Sequence, residues 1–347
     1  MPQRSAHHRW SFPESLRFLW NLVILRLERH FLIKAASVRS ILLNSATTTV
    51  CALFAGTGLA IAVDWLSARE RQILRLASVA MRARLIRAST VVLFTVVLFG
   101  LYFWASMNLR CLETSEVRPS EAGQNWRFAY HLVLLGLLIL ATAIDFDCYM
   151  IPDEITIPGM LIGVIGACLI CDAQICHLWV DWSMAIPQLR GPLIPAWYDA
   201  HRFWHALAWS LAGLSTGAGL TWVARKISSQ VLGQEAMGFG DVTLMAMIGS
   251  FIGWQAVTLV FLIAPLTGLT IGVLVRTISG KTYLPYGPWL SIAAVIVLFA
   301  WSHLWRHTRL IFSDWLSVAT LGVVGSVGFV VLLWLVQLYK SIPTRDR

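Results

Sequence analysis

Apolar residues run through this chain in long uninterrupted stretches, broken by short polar segments. The stretches fall near 41–65, 90–109, 128–145, 158–172, 204–223, 241–253, 255–275, 286–303 and 315–338. A helix rises 1.5 Å per residue, so about 20 such residues cross the hydrocarbon of a bilayer. The short alternating segments of a membrane β-barrel are absent. The pattern predicts an all-α, polytopic integral membrane bundle of about eight to nine transmembrane helices. The stretch 241–275 would run about 52 Å as one helix. It is expected to split near Gly249 and Gly253 into a short helix and a full one.

Two segments mix charge with bulky apolar residues. Residues 15–34 carry Arg26, Glu28 and Arg29 and read as an amphipathic helix lying on the membrane surface, not as a secretory signal. Residues 66–89 hold six Arg and one Glu and are expected to form a second surface helix that anchors the chain.

Composition supports the membrane reading: 57% of residues are hydrophobic and only 13% charged. The net charge of +9 would suggest a nucleic-acid partner in a soluble protein. Here it fits loops that face anionic lipid, and no nucleic-acid role is expected. With 146–157 and 224–240 placed in the cytoplasm, the loops on that side and the tail 339–347 hold 13 Lys and Arg against seven on the other side. Strict alternation would then put residues 1–40, with seven Lys and Arg, outside, so the orientation of the N-terminus stays open.

Of six cysteines, Cys51, Cys168 and Cys171 lie in apolar runs and are expected to pack there. Cys168 and Cys171 spell CxxC, but zinc sites need four ligands and no second pair lies nearby, so no metal is expected. Cys111 and Cys176 fall in one exterior loop region, where they are positioned to pair.

The stretch "AIDFDCYMIPDEITIPGM" (143–160) places Asp145, Asp147, Asp153 and Glu154 between two apolar runs. Acids in or beside spanning segments cost about 2.5–3.5 kcal/mol on insertion scales and point to function by default. A second acid, Asp241, follows Gly238-Phe239-Gly240 at the start of an apolar helix. Taken singly, Asp241 reads as an N-cap and Asp145 as a solvated interfacial acid. Taken together, both fall at the same membrane face. Two carboxylates brought close share a proton, the arrangement that activates a water and protonates a leaving amine. The dipole favours the Asp241 anion at a helix start and disfavours Asp145 at a helix end, which suggests Asp241 as base and Asp145 as acid.

Asp145, seven residues before the proline of Ile151-Pro152-Asp153, together with Gly238-Phe239-Gly240-Asp241, resembles the type IV prepilin peptidases, membrane aspartic proteases of the GxGD type. Glu235-Ala236-Met237 before the motif, Gly249-x-x-x-Gly253 after it and Leu284-Pro285-Tyr286-Gly287-Pro288-Trp289 extend the resemblance, which covers about residues 126–300. It implies Asp145 and Asp241 as the catalytic pair, with Pro152, Asp153, Glu235, Gly238 and Gly240 shaping the site. Asp147 is the second choice for the first carboxylate. Asp153 is expected to cap the next helix, and Glu235 to position the GxGD loop or meet a substrate amine. Thr243 stands where the family commonly has lysine.

The resemblance further implies an endopeptidase of the bacterial inner membrane. It would cut the leader from prepilin or pseudopilin precursors at the cytoplasmic face, with the bilayer as setting and no metal or nucleotide as cofactor. Residues 1–125 contain only Cys51 and Cys111, so the cysteine-rich loop of the two-function relatives, and its N-methyltransferase activity, are not expected. The chain divides into an N-terminal accessory membrane region (1–125), a peptidase-like bundle (126–303) and a last helix with a basic tail (304–347). Alternatives are a presenilin- or signal-peptide-peptidase-like protease, or a transporter or structural subunit using the acids as ion ligands. Which prepilin is cut and the oligomeric state are not legible.

Overall fold

In the computed structural model, the described residues are 45–76, 79–117, 119–180, 197–233, 235, 237–279 and 285–341. The expected surface helix at 15–34 lies outside them. The helices are α1 (Ser45–Ile73), α2 (Met81–Met107), α3 (Glu121–Cys148), α4 (Asp153–Ile170), the short α5 (Trp197–Ala200), α6 (Arg202–Leu232), α7 (Phe239–Ser279), α8 (Gly287–Ser313) and α9 (Trp315–Ser341). There is no strand among the described residues. α1 to α4, α7 and α8 each contain a stretch long and apolar enough to cross a membrane, which defines a multi-pass membrane protein.

Among the described residues six helices meet that criterion, against the eight to nine expected. The expected span 204–223 lies within the 31-residue α6, whose polar and small residues keep it less apolar than the six. The stretches 241–253 and 255–275 are two helices joined within α7 across a kink at Gly253. The expected span 315–338 falls in the 27-residue α9, whose described side chains Trp315–Val331 form an apolar stretch.

α7 breaks where the length argument placed the break. Gly253 has φ 79° and ψ 172°, a conformation nearly closed to residues with a Cβ. The Trp209 indole of α6 packs against it where a side chain would project. α7 is the centre of the bundle, packing on α3, α4, α6 and α8. Its Leu244, Met245, Met247, Ile248, Phe251 and Ile252 are fully buried. The approach to α6 is closest at Gly213 and Gly249, where each backbone occupies the space a side chain on the other would need. Lipid tails are as apolar as the helices, so close backbone packing through small residues is what joins them.

The basic segment 66–89 is not a surface helix. It comprises the end of α1 and the start of α2, an antiparallel hairpin that packs on α3. Three of its six arginines, Arg69, Arg84 and Arg87, have acidic partners. Arg84 and Arg87 both pair with Asp64, Arg87 also pairs with Asp147, and Arg69 lies 3.2 Å from Glu154.

All six cysteines are free. Cys111 and Cys176 are both buried but unjoined, and the Cys176 thiol instead donates to Gln255 Oε1 at 3.2 Å. Cys51, expected to pack, is instead exposed on α1.

Candidate active site

Asp145 stands one turn before the end of α3. Tyr149 adopts a left-handed conformation (φ 55°, ψ 32°), and its N–H donates back to the Asp145 carbonyl at 2.9 Å, which ends the helix. The chain then passes through Ile151 and Pro152 into α4. Asp145 is 4% exposed. Its Oδ2 accepts a hydrogen bond from the Gly287 backbone N–H at 3.1 Å, at the first residue of α8. The dipole argument that set Asp145 apart from Asp241 therefore fails. Asp145 sits near one helix end but also receives an N–H from the positive end of another.

Asp241 is 7% exposed and lies in the first turn of α7. It is not the N-cap. Gly238 precedes the first helical residue, and Asp241, three positions on, accepts the Gly238 N–H through Oδ2 at 3.2 Å. This is the reciprocal half of a capping box, in which the third helical residue satisfies the backbone donor at the cap. Gly240, next to Asp241, and Gly287, which binds Asp145, both pack against Ile151, so the two carboxylates are gathered around one side chain. Burial, and secondarily the Asp241 charge, raise the pKa of Tyr286, which keeps a neutral phenol beside the pair.

Ile151 is the spacer between these parts. A Cβ on Gly240 would lie 3.1 Å from Ile151 Cβ, and one on Gly287 would lie 2.8 Å from Ile151 Cδ1 and 2.5 Å from Asp145 Oδ2. Gly240 and Gly287 are thus glycines because α7 and α8 begin against Ile151 and the carboxylate.

The remaining expected residues fall around this centre. Pro152 is buried and occupies the N-cap position of α4 with φ −68° and ψ 139°. Asp153 is therefore the first helical residue and not the cap. Exposed with Glu154 in the first turn, it complements the helix dipole. Glu235 is exposed and pairs with Arg225 at 3.0 Å, and Arg225 also donates to the Met237 carbonyl at 3.0 Å. Together they fasten the glycine loop to the end of α6. The Asp147 carboxylate is held by Arg87, and its carbonyl accepts from Arg71 at 3.1 Å. Thr243 donates to the Gly240 carbonyl at 3.1 Å within the first turn of α7.

Ile151, Tyr286, Gly287 and Arg225 escaped the reading of the sequence as individual site residues. The Pro285-Tyr286-Gly287-Pro288 turn was visible as a motif, but a backbone N–H has no residue-type signature to show what it binds.

Residues 132–273 match the type IV leader peptidase family. Among curated proteins, the chain is similar to the prepilin leader peptidase/N-methyltransferases of Aeromonas salmonicida (28% identical over 176 residues, 50% of this chain and 50% of the relative) and Pseudomonas putida (29% over 182 residues, 50% and 52%). That of Neisseria gonorrhoeae is 25% identical over 221 residues, 64% of this chain and 60% of the relative. The chain thus matches about half the length of the first two relatives. No solved structure matches. Over the segment 132–273, this chain is similar to the type IV leader peptidase family.

Proposed function

We propose that the protein is a membrane aspartic endopeptidase that removes the leader from prepilin or pseudopilin precursors, with Asp145 and Asp241 as its catalytic pair. The observation that carries this reading is the pair itself. Two nearly buried carboxylates, on α3 and α7, are gathered around Ile151, and each is oriented by one backbone N–H. Buried carboxylates that share a site hold one proton between them. The ionised member takes a proton from water as it attacks the scissile carbonyl, while the protonated member hydrogen-bonds the carbonyl oxygen. The roles then exchange as the amine leaves. Each backbone bond fixes one Oδ2 and leaves the other oxygen of that carboxylate for chemistry. Because both carboxylates have such a donor, neither is set apart as the base by its helix end.

The end of the bundle that holds the pair also carries Arg69, Arg71, Arg84, Arg87, Arg225 and Lys226. An excess of Lys and Arg marks cytoplasmic loops, so this end faces the cytoplasm of the bacterial inner membrane. A substrate with one apolar helix would dock that helix among the spans and leave its short basic leader in the cytoplasm. This brings the bond at the end of the leader to the interfacial pair, and the bilayer itself restricts the approach.

The test is to incubate the detergent-purified protein with a prepilin precursor and follow loss of the leader by mass spectrometry. Cleavage at the end of the leader supports the reading. An intact precursor, together with solute uptake by proteoliposomes, would replace it with transport.

A further inference from the structure

An open groove lies at the same end of the bundle as the aspartates. It has a volume of about 610 Å³ and is lined by the end of α1, the segment 150–152 and the start of α4. Among the described residues α1 and α4 do not pack directly on each other, and the exposed pair Arg69 and Glu154 bridges them at 3.2 Å. Ile151 belongs to both sites. It lines the groove, and it is the side chain against which Gly240 and Gly287 pack, beside Asp241 and Asp145. The groove thus adjoins the carboxylate pair through one side chain.

Glu70 of α1 lines this groove and is only 5% exposed. Among the described residues its carboxylate has no hydrogen bond and no ion pair. Its oxygens are not among the sealed polar atoms of the bundle, so the carboxylate keeps access to the groove. The neighbouring Arg71 is turned elsewhere, donating through Nη2 to the Asp147 carbonyl at 3.1 Å. Glu70 also stands in the last turn of α1, at the negative end of that helix. A nearly buried anion without a partner is costly, and a cation with N–H donors would offset the cost.

The rest of the lining selects the kind of cation. Asp153 and Glu154 add negative charge at the exposed rim, and no Lys or Arg is in the lining among the described residues. An anionic lipid headgroup would be repelled here. The remaining lining is mostly apolar, with Ile73, Met150 and Ile157 exposed. Lys and Arg side chains suit such a surface, since their stems lie along apolar groups while the charged head reaches a partner.

We propose that this groove seats the basic leader of the precursor, with a Lys or Arg side chain of the leader paired to Glu70. The assignment rests on the peptidase reading above. Glu70 lies outside the segment 132–273 that matches the family, so α1 of the accessory region would supply leader recognition to a catalytic pair carried by α3 and α7.

The test uses the full chain in nanodiscs and two precursors, one with its basic leader and one with every Lys and Arg of the leader replaced by Gln. For the unaltered protein, KM should be about tenfold higher for the neutral leader, with kcat within about two-fold. Glu70→Gln should raise KM for the basic leader by about tenfold and leave that for the neutral leader unchanged. If Glu70→Gln does not fold, Ile73→Lys decides: it puts a like charge at an exposed position of the same groove and should weaken only the basic leader. A protein that cuts both precursors with equal KM, or a folded variant that treats the two leaders alike to the same extent as the unaltered protein does, would overturn the groove and leave the peptidase reading standing. An unaltered protein that cuts neither precursor would overturn both.

Discussion

The Gly287 backbone N–H donates to Asp145 Oδ2 across 3.1 Å, joining the end of α3 to the start of α8 over 142 positions of sequence. A Cβ at Gly287 would sit 2.5 Å from that same oxygen. Gly287→Ala therefore forces the carboxylate or the helix start to move. Misplacing a reacting group by an ångström costs on the order of 100-fold. The variant should fold, and its kcat on a precursor should fall by about 10- to 100-fold. Unchanged kcat would mean that Gly287 does not orient Asp145.

Two carboxylates sharing a proton work only while one of them is protonated. Cleavage should fall on the acid side, as the ionised member takes up a proton. It should fall again on the alkaline side, as the shared proton is lost. The profile of kcat/KM against pH is expected to be a bell whose two limbs belong to the pair and not to either residue. A single ionisation without a second limb would contradict the shared proton.

Asp147 lies two residues from Asp145 but belongs to a different structure. Its carboxylate is bound by Arg87, which also pairs with Asp64 at 2.7 Å. Asp147→Asn should leave kcat within about three-fold. It should lower stability by about 1–2 kcal/mol, the range for a partly buried, charge-assisted contact. The loss should appear as a lower unfolding midpoint in detergent. Abolished cleavage in a folded Asp147→Asn protein would move the chemistry to this residue.

How far the sequence revealed the molecule differs from element to element. The break in α7 was legible because its length exceeded a bilayer and Gly253 was available to bend. Asp145 and Asp241 stood out because acids are rare beside apolar runs. Segment 66–89 was misread because periodicity shows that a basic stretch is helical but not what its arginines will meet. The partners Asp64, Asp147 and Glu154 come from α1, α3 and α4 and meet only in the folded bundle. The capping assignments erred by one residue at Asp153 and three at Asp241, since acids favour the whole first turn and not the cap alone. Nothing in residue identity showed that the Gly287 N–H would reach Asp145.

The contact of α6 with α7 gives a prediction for stability. Gly213 and Gly249 place backbone against backbone. Gly213→Leu should therefore separate the two helices. Overpacking typically costs about 1–3 kcal/mol, and the upper end is expected where no flexible side chain can yield. The readout is the thermal midpoint in detergent, where a loss of several degrees is anticipated. An unchanged midpoint would show that this contact does not hold the bundle together.

The most direct test compares Asp145→Asn and Asp241→Asn with the unaltered protein on one precursor. Circular dichroism and the unfolding midpoint confirm that each variant folds. Each substitution should reduce cleavage by about 10³-fold or more, because neither carboxylate can supply both acid and base alone. Cleavage that persists at the original rate in either folded variant would contradict the paired-aspartate account.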